Sequence, residues 1–550
     1  MLETILALWD RLDYDAVVLI KLGVAVAATV LLSWPLIGSQ TSTPRRAALS
    51  DSLLGGLALV AFLSWWNFGH FHYPEYVQVH EHYHYYLGSK YFSELGYTRL
   101  YQCTAIADVE AGFGAKVADR WIRDLSTNEL ERGAVAVKDP SACTSHFSPA
   151  RWDTFQKDVA WFRSHSSPEK WDSVPFDHGY NATPVWGIAG KLLTGDGPVT
   201  DRQILFLSLF DPALIVIMWA FVWWAFGWRT MCVGVIWWGT NYLSRYTWTG
   251  GAFLRTDWLA FAVIGVCLVK RNRPVAGGAA LTYATLLRIF PGITIAGLAL
   301  KAGIDMWKRR SWRLNPAHRD FAVGCVIAAG LLVGLSFVVV GRNAAGSIDA
   351  WEGFVSNSRK HLATPATNNV GLKTILSYEW TSRAAVLGPL WLDAPWDTWT
   401  AARRRVFDSR KLVYWAAIVA SVPLLAFAVR NAEDWVALVM GIALIPVALQ
   451  LGCYYYAVFS LLGLLWARSK WIGPTLCGLA AASIVAASLS RSDENVYTIE
   501  SALVVLYAIG LIVVMIATDA GTKVLLRQKT HSEILGVEIG AKTVRTIENA

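Results

Sequence analysis

Ionisable and aromatic side chains crowd into one short stretch, residues 79–92, directly after an apolar segment that ends near Phe68. The stretch reads VHEHYHYYLGSKYF, and Glu81 is the carboxylate among its three histidines and four tyrosines. On a helix, Glu81 and Tyr85 share one face. An ionisable cluster at the end of a membrane span is by default a candidate functional site. Glu81 could be a general base, a metal ligand or a solvated charge.

A metal site is the weaker interpretation of this stretch. His80, Glu81 and His82 are consecutive, so on a helix their side chains diverge and cannot meet at one point. We therefore assign no metal ligands and leave a divalent cation open as a cofactor. Glu81 is the first candidate catalytic residue, and His82 and Tyr85 are candidate substrate-binding residues beside it.

A second polar stretch, residues 175–184 (PFDHGYNATP), comes just before the chain returns to apolar sequence. Asp177 is the second candidate catalytic carboxylate, and Tyr180 is a candidate for binding a ligand hydroxyl. An ordinary turn rich in Gly, Pro and Asn is an equally open alternative.

Two arginines near the ends of apolar segments suggest an anion site. Arg255 stands at the entrance of one segment, and Arg288 stands just before Phe290-Pro291-Gly292. An arginine at such a depth is costly unless it is paired or solvated, and its planar guanidinium group suits phosphate oxygens. A structural Arg–Asp pair, or a side chain that extends to the membrane interface, is the alternative.

The polar segment 357–373 adds further candidate ligands for an anion. Those that we assign to substrate binding are Arg359, His361, Asn369 and Lys373. A solvated loop is the alternative for this segment.

The composition indicates a membrane protein. Of 550 residues, 54% are hydrophobic and 16% are charged, whereas about a quarter of the residues of a soluble domain are charged. The 28 tryptophans are typical of the aromatic belts at bilayer interfaces. We predict an all-α, polytopic transmembrane helix bundle of about 12–14 membrane segments, with a long extracytoplasmic loop subdomain. The net charge of +8 arises from short basic loops and does not indicate a nucleic-acid partner.

Basic flanks set the expected topology. The apolar stretch 275–300 is interrupted by Pro291, and both of its flanks are basic, so both are expected in the cytoplasm. We therefore predict two short helices with Arg288 near their apex. Residues 70–202, 248–256 and 341–411 then share the non-cytoplasmic side with that apex. The run 403–405 is three arginines and is expected to lie along anionic headgroups.

The same pattern divides the chain into six parts. Cys103 and Cys143 share the second part, and both a disulfide and two free thiols remain open there. The parts are an N-terminal transmembrane pair (1–69), an extracytoplasmic loop subdomain (70–202), a transmembrane core with a broken hairpin (203–340), a second extracytoplasmic loop (341–411), C-terminal transmembrane helices (412–518) and a cytoplasmic tail (519–550).

Five motifs, in this order along the chain, resemble those of the GT-C superfamily of integral-membrane glycosyltransferases, in its bacterial polyprenol-phosphate-sugar-dependent mannosyltransferase-like branch. That branch usually has Asp where this chain has Glu81. The matching residues are Glu81, Tyr85, Gly96 and Tyr101; Tyr180-Asn181-Ala182-Thr183-Pro184; Leu287-Arg288-Ile289-Phe290-Pro291; Asn368-Asn369-Val370-Gly371-Leu372; and Cys453-Tyr454-Tyr455-Tyr456-Ala457-Val458.

The resemblance implies an inverting transfer of a hexose, such as mannose, from a polyprenyl-phosphate-linked donor. The acceptor would be a hydroxyl of a glycan, lipid or protein at the outer face of a bacterial inner membrane. Membrane lipids and the lipid-linked donor are the expected partners. A lipid or small-molecule transporter, such as a flippase, is the competing class, but no internal repeat typical of transporters is visible. A membrane acyl- or phosphotransferase is the third class.

Overall fold

The computed structural model describes residue 9 and residues 12–37, 43–340, 349–387 and 397–534. Its elements are almost all helices, which confirms the all-α polytopic class. Residues 535–550 of the predicted tail lie outside the described part. Among the described residues, six helices are long and apolar enough to cross a membrane: Tyr14–Ile37, Pro44–Trp65, Asp201–Phe226, Pro316–Val339, Thr398–Val429 and Asp493–Thr518.

Shorter apolar segments complete the bundle. Helix Asp257–Lys270 packs between helices Phe210–Phe226 and Pro274–Arg288, and helix Gly292–Lys308 packs against helix Asp434–Gly441. The remaining helical segments of the bundle are Asn67–Gly69, Asp201–Ser208, Trp228–Thr240, Tyr246–Thr249, Ile442–Leu444, Ile445–Ala448, Cys453–Ala467 and Ile472–Ser488.

Several helices begin where the local sequence favours a start. Thr43 accepts a hydrogen bond from the N–H of Arg46, and Asn315 accepts one from the N–H of His318. In both cases proline occupies the next position, where its missing N–H costs nothing and its fixed φ suits a helix. Thr183 begins helix Pro184–Thr194 in the same way.

The predicted break near Arg288 is confirmed. One helix ends at Arg288, the next begins at Gly292, and Ile289 between them has φ of 52°. Proline cannot donate the hydrogen bond that would continue the first helix. The guanidinium group of Arg288 therefore projects from an interrupted helix rather than from its middle.

Residues 70–202 fold into a compact region, here called the outer region. Cys103 and Cys143 form a disulfide within it. Strands Trp121–Asp124 and Glu129–Arg132 pair antiparallel, with Trp121 opposite Arg132. Its helical segments are Val79–His82, Tyr83–Leu87, Gly88–Lys90, Phe92–Leu95, Leu100–Asp108, Val109–Phe113, Gly114–Asp119, Gly133–Ala136, Ser141–Thr144, Pro149–Ser164, Pro168–Ser173, Val174–Phe176 and Pro184–Thr194.

The second polar segment packs on the outer region. The Phe354 ring lies 6.3 Å from the Tyr97 ring, and Lys360 Nζ donates to the carbonyl of Leu125. These contacts place the two polar segments on one side of the bundle. The elements of this segment are helices Asp349–Ala363, Leu372–Leu376, Trp380–Ser382 and Ala384–Leu387, and strand Asn369–Val370, which pairs with Leu451–Gly452.

Two helices extend beyond the spans expected from hydropathy. The helix that was predicted to begin at Leu412 already begins at Asp397 and continues to Val429. The last helix extends over Asp493–Ile534. Arg403 is therefore helical and buried, and its Nη1 lies 2.6 Å from Oε1 of Glu494. Placing Arg403 along lipid headgroups was wrong, because this internal carboxylate neutralises its charge.

Candidate functional site

The site is organised by one helical segment, here called the site helix, made of Val79–His82, Tyr83–Leu87 and Gly88–Lys90. Its middle part is a π-helix, an irregularity that is frequent at functional sites. Gly88 is required for its packing, because a Cβ there would lie 2.4 Å from the Tyr180 ring. The site helix therefore presses closely against the second predicted motif.

Glu81 and Arg255 form an ion pair. Oε2 of Glu81 lies 2.8 Å from Nε of Arg255, and the side chains are 15% and 4% exposed. The contact joins the outer region to the loop before helix Asp257–Lys270. The Glu81 side chain is thus mostly, but not completely, enclosed.

Tyr85 lies at the centre of the same group. Its hydroxyl accepts hydrogen bonds from Arg255 Nη1 and from Arg288 Nη2, the latter at 3.5 Å, and donates to Asn181 Oδ1 at 2.7 Å. The two guanidinium groups lie 4.3 and 5.5 Å from the ring centroid, within the range of a cation–π interaction. We call Glu81, Tyr85, Asn181, Arg255 and Arg288 the arginine cluster.

Asp211 fixes the backbone that carries Arg255. Its carboxylate accepts the N–H groups of Arg255 at 2.9 Å and Thr256 at 3.1 Å. Trp258 Nε1 donates to the carbonyl of Arg255 at 3.0 Å. Asp211 was not among the residues predicted from the sequence, although a carboxylate inside an apolar helix is itself a functional signal.

Arg288 differs from Arg255 in its partners. Within the described part of the chain, Arg288 makes no ion pair, whereas Arg255 pairs with Glu81. The Nε atom of each arginine is buried without a hydrogen bond. Asp257 is the neighbouring buried carboxylate. Its Oδ1 accepts the N–H of Trp258, and its Oδ2 has no hydrogen-bond partner. The cluster thus contains a cation whose hydrogen-bonding capacity is incompletely used.

Aromatic side chains of several separate segments pack around the cluster. The Tyr455 ring lies 5.1 Å from Phe290 and 5.9 Å from Trp258, and Arg255 lies 5.6 Å from the centroid of Tyr454. The Tyr-rich segment that begins at Cys453 thus reaches the same place as the break of the hairpin.

A second group of polar residues, here called the histidine cluster, consists of His80, His84, Asp177, His178 and His361. His80 Nε2 lies 3.1 Å from Asp177 Oδ2, and the rings of His178 and His361 lie 5.4 Å apart. The donor atoms of His80, His84 and Asp177 all lie within 4.8 Å of one another. This is the set in the described part of the chain that has the geometry to hold a metal ion.

The protonation of the histidine cluster follows from its surroundings. Burial lowers the pKa of His84 and of His178 to about 3 and that of His361 to about 4, so these rings are neutral at neutral pH. Desolvation raises the pKa of Asp177, but the hydrogen bond from His80 and the electrostatic effect of the surrounding histidines together outweigh it and hold this pKa well below its usual range. An ionised carboxylate therefore stands among neutral imidazoles.

Arg123 holds the loop that carries Asp177. Its side chain is buried, and its Nε donates to the carbonyls of Phe176 at 2.9 Å and Asp177 at 3.2 Å. Arg123 was not predicted from the sequence, because no local pattern links strand Trp121–Asp124 to this loop.

Comparison of the chain with protein-family models, curated proteins and solved structures finds no match.

The structure places the other predicted residues as follows. Tyr180 is buried, with its ring 5.9 Å from that of Tyr85. His82 is fully buried, parallel to Phe253 at 6.3 Å. His82 therefore packs in the interior rather than beside Glu81.

The candidates from segment 357–373 do not converge on Arg288. Arg359 is exposed, and Lys373 Nζ lies over the ring of Phe407 at 5.3 Å. Asn369 pairs with Gly452 in a two-residue strand. His361 joins the histidine cluster, so the expectation that Arg359 and His361 assist Arg288 is not met.

Proposed function

We propose that this chain is an inverting membrane glycosyltransferase. It transfers a hexose, such as mannose, from a polyprenyl-phosphate-linked donor to an acceptor hydroxyl on the extracytoplasmic face of a bacterial inner membrane. The observation that carries the proposal is the convergence of Arg255 and Arg288 on Tyr85, with Glu81 paired to Arg255. One carboxylate and two guanidinium groups then surround a single phenol.

Arg288 is suited to bind the phosphate of the donor. This arginine makes no ion pair within the described residues, and its Nε is buried without a partner. Arg288 is half-buried, and no carboxylate of the described residues lies within ion-pair distance of it. Such incomplete compensation is unfavourable, and a bound phosphate would supply both charge and hydrogen-bond acceptors. The planar fork of a guanidinium group matches phosphate oxygens.

Glu81 suits the role of general base. The acceptor hydroxyl gives its proton to the Glu81 carboxylate while its oxygen bonds to the anomeric carbon. The bond from that carbon to the phosphate oxygen breaks, and the polyprenyl phosphate leaves with the electron pair. Inversion needs one base, and Arg255 and Arg288 would stabilise the negative charge of the leaving phosphate.

Asp177 is the weaker candidate for the base. Its Oδ1 accepts the N–H of His178 at 2.7 Å, and its Oδ2 is bound to His80. The low pKa of this carboxyl group makes it a poor proton acceptor at neutral pH. We therefore place Glu81, rather than Asp177, at the reacting hydroxyl.

Two observations support an extracytoplasmic site. The disulfide between Cys103 and Cys143 is typical of an oxidising compartment. The contact between Phe354 and Tyr97 brings the two polar segments to the same side as Glu81.

Reconstitution of the purified protein in liposomes tests the proposal. The probe is a polyprenyl-phosphate mannose labelled in the sugar, supplied with a panel of glycan, lipid and peptide acceptors. We expect labelled product and release of polyprenyl phosphate. Appearance of the unchanged donor in the opposite leaflet, without product, would instead identify a flippase. Absence of both processes would refute the proposal for this donor class.

A further inference from the structure

The histidine cluster contains a preformed arrangement of metal-ligating atoms that the transfer reaction does not use. His80 and His84 are one turn apart on the site helix, with ring centroids 4.7 Å apart. Asp177 comes from a distant loop, and its Oδ2 lies 3.1 Å from His80 Nε2. Two imidazoles and one carboxylate thus meet from two separate segments.

From this geometry we propose that His80, His84 and Asp177 bind a divalent transition-metal ion of the Zn²⁺ class. Their donor atoms lie within 4.8 Å of one another. Ligand atoms around a tetrahedral zinc ion are separated by about 3.4 Å, given bond lengths of about 2.1 Å. A closure of at most about 1.4 Å by side-chain rotation therefore completes the site.

The surrounding hydrogen bonds orient His84 for metal binding. His84 Nδ1 lies 2.8 Å from the carbonyl of His80, so Nδ1 carries the hydrogen and Nε2 carries the lone pair. A ligating histidine typically donates its other N–H to a backbone carbonyl in this way. Tyr101 accepts the N–H of Gly179 at 2.9 Å and donates its hydroxyl to His84 Nε2 at 2.7 Å. The Tyr101 side chain must therefore move away from Nε2 when a metal binds to this nitrogen.

Asp177 is oriented in a comparable way. Its Oδ1 accepts the N–H of His178 at 2.7 Å, which directs Oδ2 towards the histidines. The side chains of His80 and Asp177 are 39% and 45% exposed, so an ion can enter from solvent. A water molecule that enters with the ion can take the fourth position.

The ligand types define the class of metal. Imidazole suits Zn²⁺, Cu²⁺, Fe²⁺ and Ni²⁺, whereas Mg²⁺ and Ca²⁺ prefer sites built from oxygen ligands. Two nitrogens and one carboxylate oxygen therefore select against the alkaline-earth ions. The consecutive residues 80–82 cannot all bind one metal ion, which is why the sequence predicted no metal site. The proposed ligands are instead two histidines one helical turn apart and an aspartate from a distant loop.

A metal bound at this site would act by holding the site helix in position. His80 precedes Glu81, and His84 precedes Tyr85, so a metal bridge to Asp177 ties the site helix to the outer-region loop. The metal itself lies outside the arginine cluster. Its effect on the proposed transfer would be indirect, through the placement of Glu81, and its binding does not depend on that function being correct.

The test uses the full-length protein, purified with a tag that contains no histidine and stripped of metal by chelator. Zn²⁺ is titrated, bound metal is counted by elemental analysis, and the melting temperature is followed. The variants are His80→Asn and Asp177→Asn, with His146→Asn as the control from the same outer region. Because His80 is partly exposed, His80→Asn is expected to fold even if Asp177→Asn does not.

We expect one equivalent of Zn²⁺ in the wild type and in His146→Asn, with a rise in melting temperature. His80→Asn should lose the stoichiometric ion or bind it at least tenfold more weakly, and Mg²⁺ should not replace Zn²⁺. Absence of stoichiometric binding in the wild type would overturn the proposal. Equal binding by the wild type and His80→Asn would also overturn it, because the ion would then be held elsewhere.

Discussion

The Nε atom of Arg255 lies 2.8 Å from Oε2 of Glu81, and both side chains are largely buried. This pair joins the first polar residues of the outer region to the loop that enters helix Asp257–Lys270. The same guanidinium group contacts Tyr85, which also contacts Arg288. The ion pair is therefore both a structural link and part of the proposed reaction site.

Removing one partner of this pair should destabilise the protein. Arg255→Gln leaves Glu81 without its counter-charge, and breaking a buried pair typically costs about 3–5 kcal/mol. We expect a correspondingly lower free energy of unfolding, measured by denaturant titration in detergent.

The matched control for Arg255→Gln is Arg229→Gln, which removes a more exposed pair with Asp51, where the two side chains are 54% and 31% exposed. Surface pairs contribute at most about 1 kcal/mol. Equal losses in the two variants would mean that the Glu81–Arg255 pair contributes no more than a surface contact.

Substituting lysine for Arg288 should weaken donor binding. Lysine keeps the charge but loses the planar fork, and the loss of one charge-assisted hydrogen bond costs about 1.5–3 kcal/mol. We expect Arg288→Lys to bind a polyprenyl-phosphate sugar about 10- to 100-fold more weakly, as measured by ligand-induced change in melting temperature.

Arg359→Lys serves as the control for Arg288→Lys, because Arg359 is exposed and apart from the arginine cluster. Its donor affinity should match that of the wild type. Normal affinity in Arg288→Lys, or an equal loss in Arg359→Lys, would remove Arg288 from the phosphate site.

The two polar segments should be accessible from the same side of the membrane. Ser145 and Ser356 are exposed, one on each segment. We expect Ser145→Cys and Ser356→Cys to react with a membrane-impermeant maleimide applied outside intact cells. Ser311→Cys, in the basic loop predicted to be cytoplasmic, should react only after permeabilisation. Protection of the Cys introduced at either Ser145 or Ser356 would contradict the topology.

The sequence predicted the parts of the site that follow from local patterns. Helical spacing placed Glu81 and Tyr85 together, although their segment passes into a π-helix. The proline at position 291 marked the break after Arg288, and Arg255 stood at a visible boundary between polar and apolar sequence. Each of these signals lies within a few residues of the feature that it predicts.

What the sequence did not predict depends on contacts between distant segments. Asp177 meets His80 only because the outer region folds back on the site helix, where Arg123 holds the loop. Asp211 caps the backbone of Arg255 from another helix. No spacing rule links such residues, so a single sequence gives their chemistry but not their partners.

The assignment of Glu81 as the general base is the central element of the proposed mechanism, and the Glu81→Gln variant tests it. Glutamine has nearly the size of glutamate but accepts no proton at neutral pH. Loss of a general base typically lowers the rate about 100- to 10,000-fold. Asp177→Asn, the alternative base, and Glu129→Gln, an exposed carboxylate in the same outer region, provide the comparisons.

The most direct measurement is therefore the turnover of Glu81→Gln with a polyprenyl-phosphate mannose donor in liposomes, together with its donor affinity. The account predicts that turnover falls by at least about 100-fold while the variant stays folded and still binds the donor, and that Glu129→Gln keeps wild-type turnover. Near-normal turnover in Glu81→Gln, with loss in Asp177→Asn, would show that Glu81 is not the base and would contradict the account.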